Sequence, residues 1–242
     1  MMDFLQACIM ANREIYFLLN NGENLRLECK KGYGGDISLK ADLEAEAIFI
    51  KYLQKFGRIY SEESGIIGVD GDDNSIIIID PLDGSKNFAL NIPCFGSSVT
   101  LKKNGETACA VIANFAAGYI CIKEKNYFER RFFVDKKAQK IVSTPLCGVG
   151  IFEKAYQSDQ LAAKLRQASF KYRVFGALAL SLSLSHEVDF VLFEGNIREF
   201  DVAAGWYMSE DLFRFRNDNF LLVSKDKGIF DKIRDFIVES SL

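Results

Sequence analysis

The sequence is poor in histidine and proline: among its 242 residues there are one histidine, His186, and three prolines. A single histidine excludes any metal site built from several imidazoles, and only His186 could serve a Ser-His-Asp or Cys-His catalytic site. The surrounding sequence SLSLSHEVDF is typical of a helix end that leads into a strand, so we interpret His186 as structural. If the protein is an enzyme, its acid–base and metal chemistry must rest on carboxylates.

The cysteines and the apolar runs exclude further classes of protein. The six cysteines form no CxxC pair, and no Cys/His cluster could complete a zinc site. No run of about 18 apolar residues predicts a membrane-spanning helix. The N-terminus is not typical of a secretion signal, because charged residues interrupt its apolar stretches. We therefore expect a cytoplasmic protein with reduced thiols and no membrane partner.

The charge balance argues against a nucleic-acid partner. The net charge is −3 and the pI about 5.4, so the chain lacks the basic footprint that nucleic acid or an anionic membrane requires. Neither a P-loop GK[ST] nor a GxGxxG motif occurs, and the Asp-rich run at residues 70–74 lacks the glycine of a calcium loop. An anionic substrate would therefore need a metal ion or backbone donors.

Hydrophobic periodicity predicts helices and strands in two successive stretches. The first stretch contains two helices, a β-branched strand buried on both faces, and an antiparallel meander, which we place at residues 3–20, 39–56, 75–79, 96–102, 108–114 and 118–123. Residues 124–147 show no clear pattern. The second stretch alternates helix and strand, at residues 159–168, around 172, 176–185, 188–193, from 201, 220–223 and 229–238.

The clearest chemical signal is the run DPLDGS at residues 80–85. A buried strand that ends in Asp80 delivers this carboxylate to the edge of a sheet, where ligands bind. Asp83 can turn back beside Asp80, and two carboxylates so close repel each other unless a cation lies between them. Hard divalent cations prefer such oxygen ligands, and Gly84 and Ser85 would offer backbone N–H groups to a phosphate. Taken alone, the run is equally compatible with a plain Asp-Gly turn.

Three further acidic positions carry weaker signals. Glu62 and Glu63 end a short strand, where two glutamates are usually just solvated. Asp201 precedes a run of small residues and is compatible with a simple N-cap. Asp42 is compatible with ordinary charge in the first turn of a helix.

In order along the chain, the segments DISLKAD, SEES, IIDPLDGSKNF, RVFGALAL and EGNIREFDVAAG resemble the inositol monophosphatase family. The resemblance spans about residues 31 to 209, and the first and fourth segments are similar to archaeal-type members that also act on fructose-1,6-bisphosphate. It implies an α+β and α/β layered sandwich, the sugar-phosphatase fold, with alternating α-β-α-β-α layers. Residues 1–123 would carry the metal and phosphate site, and residues 124–242 would complete it.

The resemblance also implies a role for each matching residue. One Mg²⁺ would be held by Glu62, Asp80 and the Leu82 carbonyl, a second by Asp80, Asp83 and Asp201, and a third, weaker ion near Glu62. The Ser85 hydroxyl, paired with Asp42, would position and deprotonate the attacking water, so the residues implied in catalysis are Asp42, Ser85 and Glu62. The residues implied at the phosphate or the substrate are Lys31, Asp83, Gly84, Ser85, Gly176, Ala177, Leu178, Glu194 and Asp201.

The implied activity is Mg²⁺-dependent, lithium-sensitive hydrolysis of a small phosphorylated metabolite by in-line attack of a metal-activated water. Inositol-1-phosphate is the first candidate substrate and fructose-1,6-bisphosphate the second, followed by adenosine 3′,5′-bisphosphate or NADP. The alternative of another class is a non-catalytic regulatory binding protein on the same fold, which would be expected to have a broken metal site. Family members are commonly dimers, so the resemblance implies a homodimer.

Overall fold

The computed structural model describes residues 2–68, 74–125, 127–134 and 137–240. The Asp-rich run at residues 70–74 therefore lies almost entirely outside the described residues. Within the described part, no helix combines the length and the apolar character needed to cross a membrane.

Two helices, α1 (Phe4–Asn21) and α2 (Lys40–Leu53), pack on each other and on one face of the first sheet. Helix α1 begins where the Asp3 carboxylate accepts a hydrogen bond from Gln6 N at 2.7 Å, as a capping residue does. Both helices agree with the sequence-based prediction, except that the end of the second predicted helix forms a separate 3₁₀ turn, Gln54–Phe56. A two-stranded hairpin of β1 (Glu28–Lys31) and β2 (Ile37–Leu39) connects them.

An eight-stranded sheet forms the next layer. Its strands are β3 (Arg58–Ser61), β4 (Gly65–Ile67), β5 (Ser75–Asp83), β6 (Gly96–Lys103), β7 (Glu106–Asn114), β8 (Tyr119–Glu124), β9 (Tyr127–Phe132) and β10 (Ala138–Lys140). They lie in the order β10-β9-β8-β7-β6-β5-β3-β4. The predicted antiparallel meander is confirmed from β5 onward, whereas β3 runs parallel to β5. The short helix α3 (Ser85–Ala89) follows β5 directly.

Strands β9 and β10 come from the segment without a clear hydrophobic pattern. Polar side chains with specific partners obscure the alternation there: Arg130 forms an ion pair with Glu187 at 2.9 Å and lies over the Tyr119 ring. The first sheet therefore extends to residue 140, beyond the division at residue 123 expected from the sequence, and the second sheet begins only at residue 149. The division of the chain into two halves that together form the site stays a prediction.

The second sheet has five strands in the order β12-β11-β13-β15-β14. They are β11 (Val149–Glu153), β12 (Lys171–Arg173), β13 (Phe190–Glu194), β14 (Phe213–Arg216) and β15 (Phe220–Ser224). Strands β11, β12 and β13 are parallel, and β15 is antiparallel to its neighbours β13 and β14. Strand β14 was not predicted; it is an edge strand whose alternating arginines pack on side chains of a neighbouring helix rather than facing solvent.

Four helices complete the layers. Helices α5 (Leu178–Ser183) and α6 (Glu199–Met208) lie between the two sheets, and α4 (Asp159–Gln167) and α7 (Lys227–Ser240) pack outside the second sheet. Gly205 allows α5 and α6 to approach, because a Cβ there would lie 2.3 Å from Leu182 Cβ. The layer order α-β-α-β-α confirms the predicted sandwich.

Candidate active site

A cavity of about 330 Å³ opens where the end of β5 meets the first turns of α5 and α6. Eight carboxylates and three cationic side chains line it, so the cavity is strongly acidic. The acidic residues are Asp36, Asp42, Glu62, Glu63, Asp80, Asp83, Glu153 and Asp201. The cationic residues are Lys86, Lys154 and Arg198.

Strand β5 places Asp80 and Asp83 on the cavity floor. The pairing register of β5 with β6 shifts between these two residues, so both carboxylates can face the same side despite their spacing. Leu82 N donates to Asp80 Oδ1 at 3.0 Å, and Leu180 N in the first turn of α5 donates to Asp83 Oδ2 at 3.0 Å. The latter bond satisfies an N–H that has no partner within its own helix and ties α5 to the floor of the site.

Glu62, Asp80 and Asp201 converge from three elements. Glu62 follows β3, which runs parallel to β5 with Ser61 opposite Ile79, so Glu62 and Asp80 leave neighbouring strands at the same edge. Asp201 lies in the first turn of α6. One carboxylate oxygen from each of the three residues lies within 4.8 Å of the others. The structure thus brings Asp201 to two carboxylates that lie more than a hundred residues earlier in the sequence.

The carboxylates of this cluster repel one another, and a bound cation would reduce this repulsion. Burial raises the pKa of Asp80 and of Asp83 well above the usual range, and repulsion from neighbouring carboxylates raises both further. Burial and the Asp201 charge also raise the pKa of Glu62 to about 7, against the opposing effect of Arg198. A divalent cation would remove this repulsion, and buried carboxylate oxygens are the ligands that hard cations such as Mg²⁺ prefer. The residues present therefore fit a metal ion.

Asp42 lies in the first turn of α2 and lines the same cavity. Its Oδ2 accepts a hydrogen bond from Leu39 N at 2.5 Å. Burial nevertheless raises the pKa of Asp42 to about 8, and Glu63 and Glu62 add to the effect. The hydrogen bonds within the described residues do not include one between Asp42 and Ser85, so the pairing of these two residues stays a prediction.

Gly84 and Ser85 form the wall next to Asp83. Gly84 has φ = 80°, a conformation that glycine adopts without strain, and a Cβ there would lie 2.7 Å from the Cys94 carbonyl oxygen. Ser85 begins α3, and the first N–H groups of a helix have no partner within it. Both residues line the cavity, and the binding of a phosphate by their N–H groups stays a prediction.

Similarity to known proteins assigns the chain to a family. The sequence profile described as the inositol monophosphatase family matches residues 11–210. The chain belongs to the inositol monophosphatase family. It is accordingly a phosphoric monoester hydrolase, and the acidic cluster agrees with the metal dependence of the family.

Individual relatives agree with this membership. The fructose-1,6-bisphosphatase/inositol-1-monophosphatase of Methanothermobacter thermautotrophicus is 29% identical over 203 residues, 75% of this chain and 71% of the relative. An inositol-1-monophosphatase of Caulobacter vibrioides is 31% identical over 205 residues, 78% of each chain. The extragenic suppressor protein SuhB of Bartonella henselae, a solved structure, has a TM-score of 0.79 at 22% identity, covers 96% of both chains and shares the fold.

Not every residue that the family resemblance implied lines the cavity. Gly176, Ala177 and Leu178 do so, whereas Lys31 and Glu194 are not among the lining residues. Lys31 is exposed on β1. In β13, successive side chains point to opposite faces, and Phe193 rather than Glu194 faces the cavity.

The glycine-rich loop between β1 and β2 covers the glutamate pair of this family member. Tyr33 N donates to the Glu63 carbonyl at 3.0 Å and Gly34 N to the Glu62 carbonyl at 2.7 Å. A Cβ on Gly34 would lie 2.6 Å from Glu62 Cγ, so only glycine allows this close approach. The Glu63 carboxylate accepts a hydrogen bond from Ser38 Oγ, which leaves Glu62 as the glutamate that joins the cluster.

Five charged residues that line the cavity were not predicted from the sequence as site residues: Asp36, Lys86, Glu153, Lys154 and Arg198. Glu153 ends β11 and accepts hydrogen bonds from Phe175 N at 3.1 Å, Gly176 N at 2.8 Å and Ser181 Oγ at 2.5 Å. The sequence around Glu153 did contain an indication: VGIFE is an apolar strand that ends in a carboxylate, as β5 does. Arg198 precedes α6, and its only sequence signal is a charge three residues before Asp201.

Proposed function

We propose that the chain hydrolyses the phosphomonoester of a small cyclitol or sugar phosphate, with inositol-1-phosphate as the first candidate. The observation that carries this proposal is the convergence of Glu62, Asp80 and Asp201 beside the N–H groups of Gly84 and Ser85 in one cavity. The arrangement suits an anion that is bound on one side by backbone donors and on the other by cations held on carboxylates.

The cations in this proposal are Mg²⁺ ions. Glu62, Asp80 and the Leu82 carbonyl would hold one, and Asp80, Asp83 and Asp201 a second, with a third, weaker ion near Glu62. Such ions supply Lewis-acid chemistry: they lower the pKa of water, neutralise phosphate oxygens and stabilise the leaving alkoxide.

The remaining steps fall to the chain itself. The backbone N–H groups of Gly84 and Ser85 bind the phosphate and fix its orientation for in-line attack. The Ser85 hydroxyl orients the attacking water and passes its proton to the carboxylate of Asp42, and the leaving alkoxide takes a proton from solvent. Residues 176–178, held by Glu153, contact the cyclitol or sugar.

Fructose-1,6-bisphosphate is the second candidate substrate. Lys86 and Lys154 line the same cavity and would meet a second phosphate group. The relative from Methanothermobacter thermautotrophicus is named for both activities, and the one from Caulobacter vibrioides for inositol-1-phosphate hydrolysis. Both names support a cyclitol or sugar phosphate as the substrate.

The proposal extends to the state of the protein. The six cysteines are all free, which supports a reducing, cytoplasmic location. A homodimer, as implied by the family, is part of the same proposal and is tested by multi-angle light scattering.

The decisive test is Mg²⁺-dependent phosphate release from inositol-1-phosphate, fructose-1,6-bisphosphate, adenosine 3′,5′-bisphosphate and NADP. Asp83→Asn is expected to lower the rate by at least about 100-fold, because it removes a charge from the metal ligands. Asp218→Asn, at an exposed carboxylate distant from the cavity, is the matched control. Lithium at millimolar concentration is expected to inhibit the wild type.

Two outcomes would contradict the proposal. Near-normal turnover by Asp83→Asn would remove the metal assignment. No release from any of the four substrates by folded, Mg²⁺-saturated protein would favour a non-catalytic binding protein on this fold.

A further inference from the structure

A positive charge already lies inside the acidic cluster. The guanidinium of Arg198 donates from Nε to Asp201 Oδ2 at 2.9 Å and from Nη2 to Asp201 Oδ1 at 3.1 Å, a bidentate pair. Its Nη1 lies 2.7 Å from Glu62 Oε1. Arg198 therefore bridges two of the three carboxylates that form the cluster.

This contact differs from a surface ion pair. The side chains of Glu62 and Asp201 are only 12% and 11% exposed, and that of Arg198 is 26% exposed. Ion pairs this far from water are weakly screened and hold their geometry better than exposed ones. Arginine also keeps its charge at every pH at which the protein is folded, so this cation is permanent.

The guanidinium and a divalent ion compete for the same oxygen atoms. Mg²⁺ ligands lie about 2.0–2.1 Å from the ion in near-ideal octahedral geometry, so Glu62 and Asp201 must turn their lone pairs to it. In the structure, both oxygens of Asp201 and one of Glu62 face Arg198 instead. The positive charge of Arg198 would also repel an approaching metal ion and so lower the affinity of these oxygens for it.

We propose that Arg198 is a resident cation of the site, which leaves Glu62 and Asp201 when a metal ion binds and returns when the ion departs. This inference rests on the proposed function, because it takes Glu62 and Asp201 to be metal ligands. It assigns to Arg198 the role of lowering the affinity for one ion and of offsetting the repulsion between Glu62 and Asp201 in the metal-free protein.

The displaced guanidinium has another partner within reach. Arg198 Nη1 lies 3.1 Å from Asp36 Oδ2, and the Asp36 side chain is 59% exposed at the rim of the cavity. Arg198 also donates to the Gly34 carbonyl at 3.3 Å. A small rotation toward the loop between β1 and β2 therefore retains one ion pair and one hydrogen bond, while Glu62 and Asp201 become free for the ion.

The test measures metal binding rather than turnover. Metal-free wild type and Arg198→Met are titrated with Mg²⁺ by calorimetry and with Mn²⁺ by electron paramagnetic resonance, which give the affinity and the number of ions. Methionine keeps the length of the side chain and removes its charge. We expect one ion to bind about tenfold more tightly or better in Arg198→Met, because the loss of the charged hydrogen bonds removes the competitor.

Two further variants sharpen the comparison. Arg216→Met removes an arginine of β14 that pairs at 2.7 Å with Glu199, a residue of α6 outside the cluster. This variant is expected to leave metal affinity unchanged. Arg198→Lys keeps the charge without the bidentate geometry and is expected to lie between wild type and Arg198→Met. If Arg198→Met fails to fold, the metal affinity of Arg198→Lys compared with that of wild type still tests the competition.

The outcomes separate this inference from the proposed function. Unchanged affinity in Arg198→Met and Arg198→Lys would overturn the competition, and weaker binding would mean that Arg198 positions Asp201 for the ion instead. If wild type and every variant bind no ion, the proposed metal site itself is wrong.

Discussion

Replacement of Asp42 by asparagine is expected to stabilise the metal-free protein and at the same time to lower turnover about 100-fold or more. The carboxyl group of Asp42 is buried at the start of α2, and burial raises its pKa from 3.8 to about 8. Asparagine has nearly the same shape and keeps an oxygen that can accept the hydrogen bond from Leu39 N, but it has no charge to desolvate. It also has no carboxylate to accept a proton from the attacking water.

The sign and size of the stability change follow from linkage. A folded-state pKa above the unfolded value means that the contribution of Asp42 to stability is complete below pH 3.8 and is lost as pH rises through about 8. Between these limits, the loss is about 1.4 kcal/mol per pH unit, hence about 3 kcal/mol at pH 6. Asp42→Asn escapes this loss, so its advantage over wild type should grow with pH.

Urea denaturation in EDTA at pH 5, 6 and 7 measures the free energy of unfolding of both proteins, and phosphate release measures the loss of turnover, expected to be about 100-fold or more. Glu44→Gln, at an exposed position of the same helix, is the control and should track wild type at every pH. A stability difference between Asp42→Asn and wild type that does not change with pH would refute the reasoning.

Two other substitutions test the packing and the chemistry separately. Gly205→Ala should lower the free energy of unfolding by about 1–3 kcal/mol, because the new Cβ would lie 2.3 Å from Leu182 Cβ. A midpoint of thermal denaturation at or above that of the wild type would contradict the close approach of α5 and α6. Ser85→Ala should reduce kcat by about 100-fold while calorimetry shows unchanged Mg²⁺ affinity; an unchanged kcat would remove the hydroxyl from the mechanism.

The cluster around Asp80 could be predicted because its positions follow from local rules. A β-branched run ending in DPLDG predicts a buried strand with carboxylates at a sheet edge, and the structure places Asp80 and Asp83 there. Glu62 joins them through the parallel pairing of β3 with β5. These contacts form between neighbouring strands, and Asp80 and Asp83 are only three residues apart, so a local sequence pattern is enough to predict them.

Other features depend on contacts that no local pattern carries. Arg198 meets Gly34, which is 164 residues away, and nothing in the sequence EGNIREFD indicates the direction of its guanidinium. Strands β9 and β14 escaped notice because their charged residues have partners in other elements, so neither strand alternates cleanly between apolar and solvated positions. Glu194 lies at the end of β13 on the face opposite to Phe193, and its implied role at the substrate stays a prediction.

The division of the cavity into a buried floor and an exposed rim has a consequence for evolution. The carboxylates of the floor, Asp80 and Asp83, are held by β5 and by the hydrogen bond from Leu180 N in α5, so a change there acts directly on the reacting centre. At the rim, Lys86 and Tyr156 are exposed, and the side chain of Tyr156 retains 71% of its accessible surface. Substitutions at these exposed positions can therefore change which alcohol is released without changing the carboxylates of the floor. One fold can in this way give rise to enzymes for different metabolites.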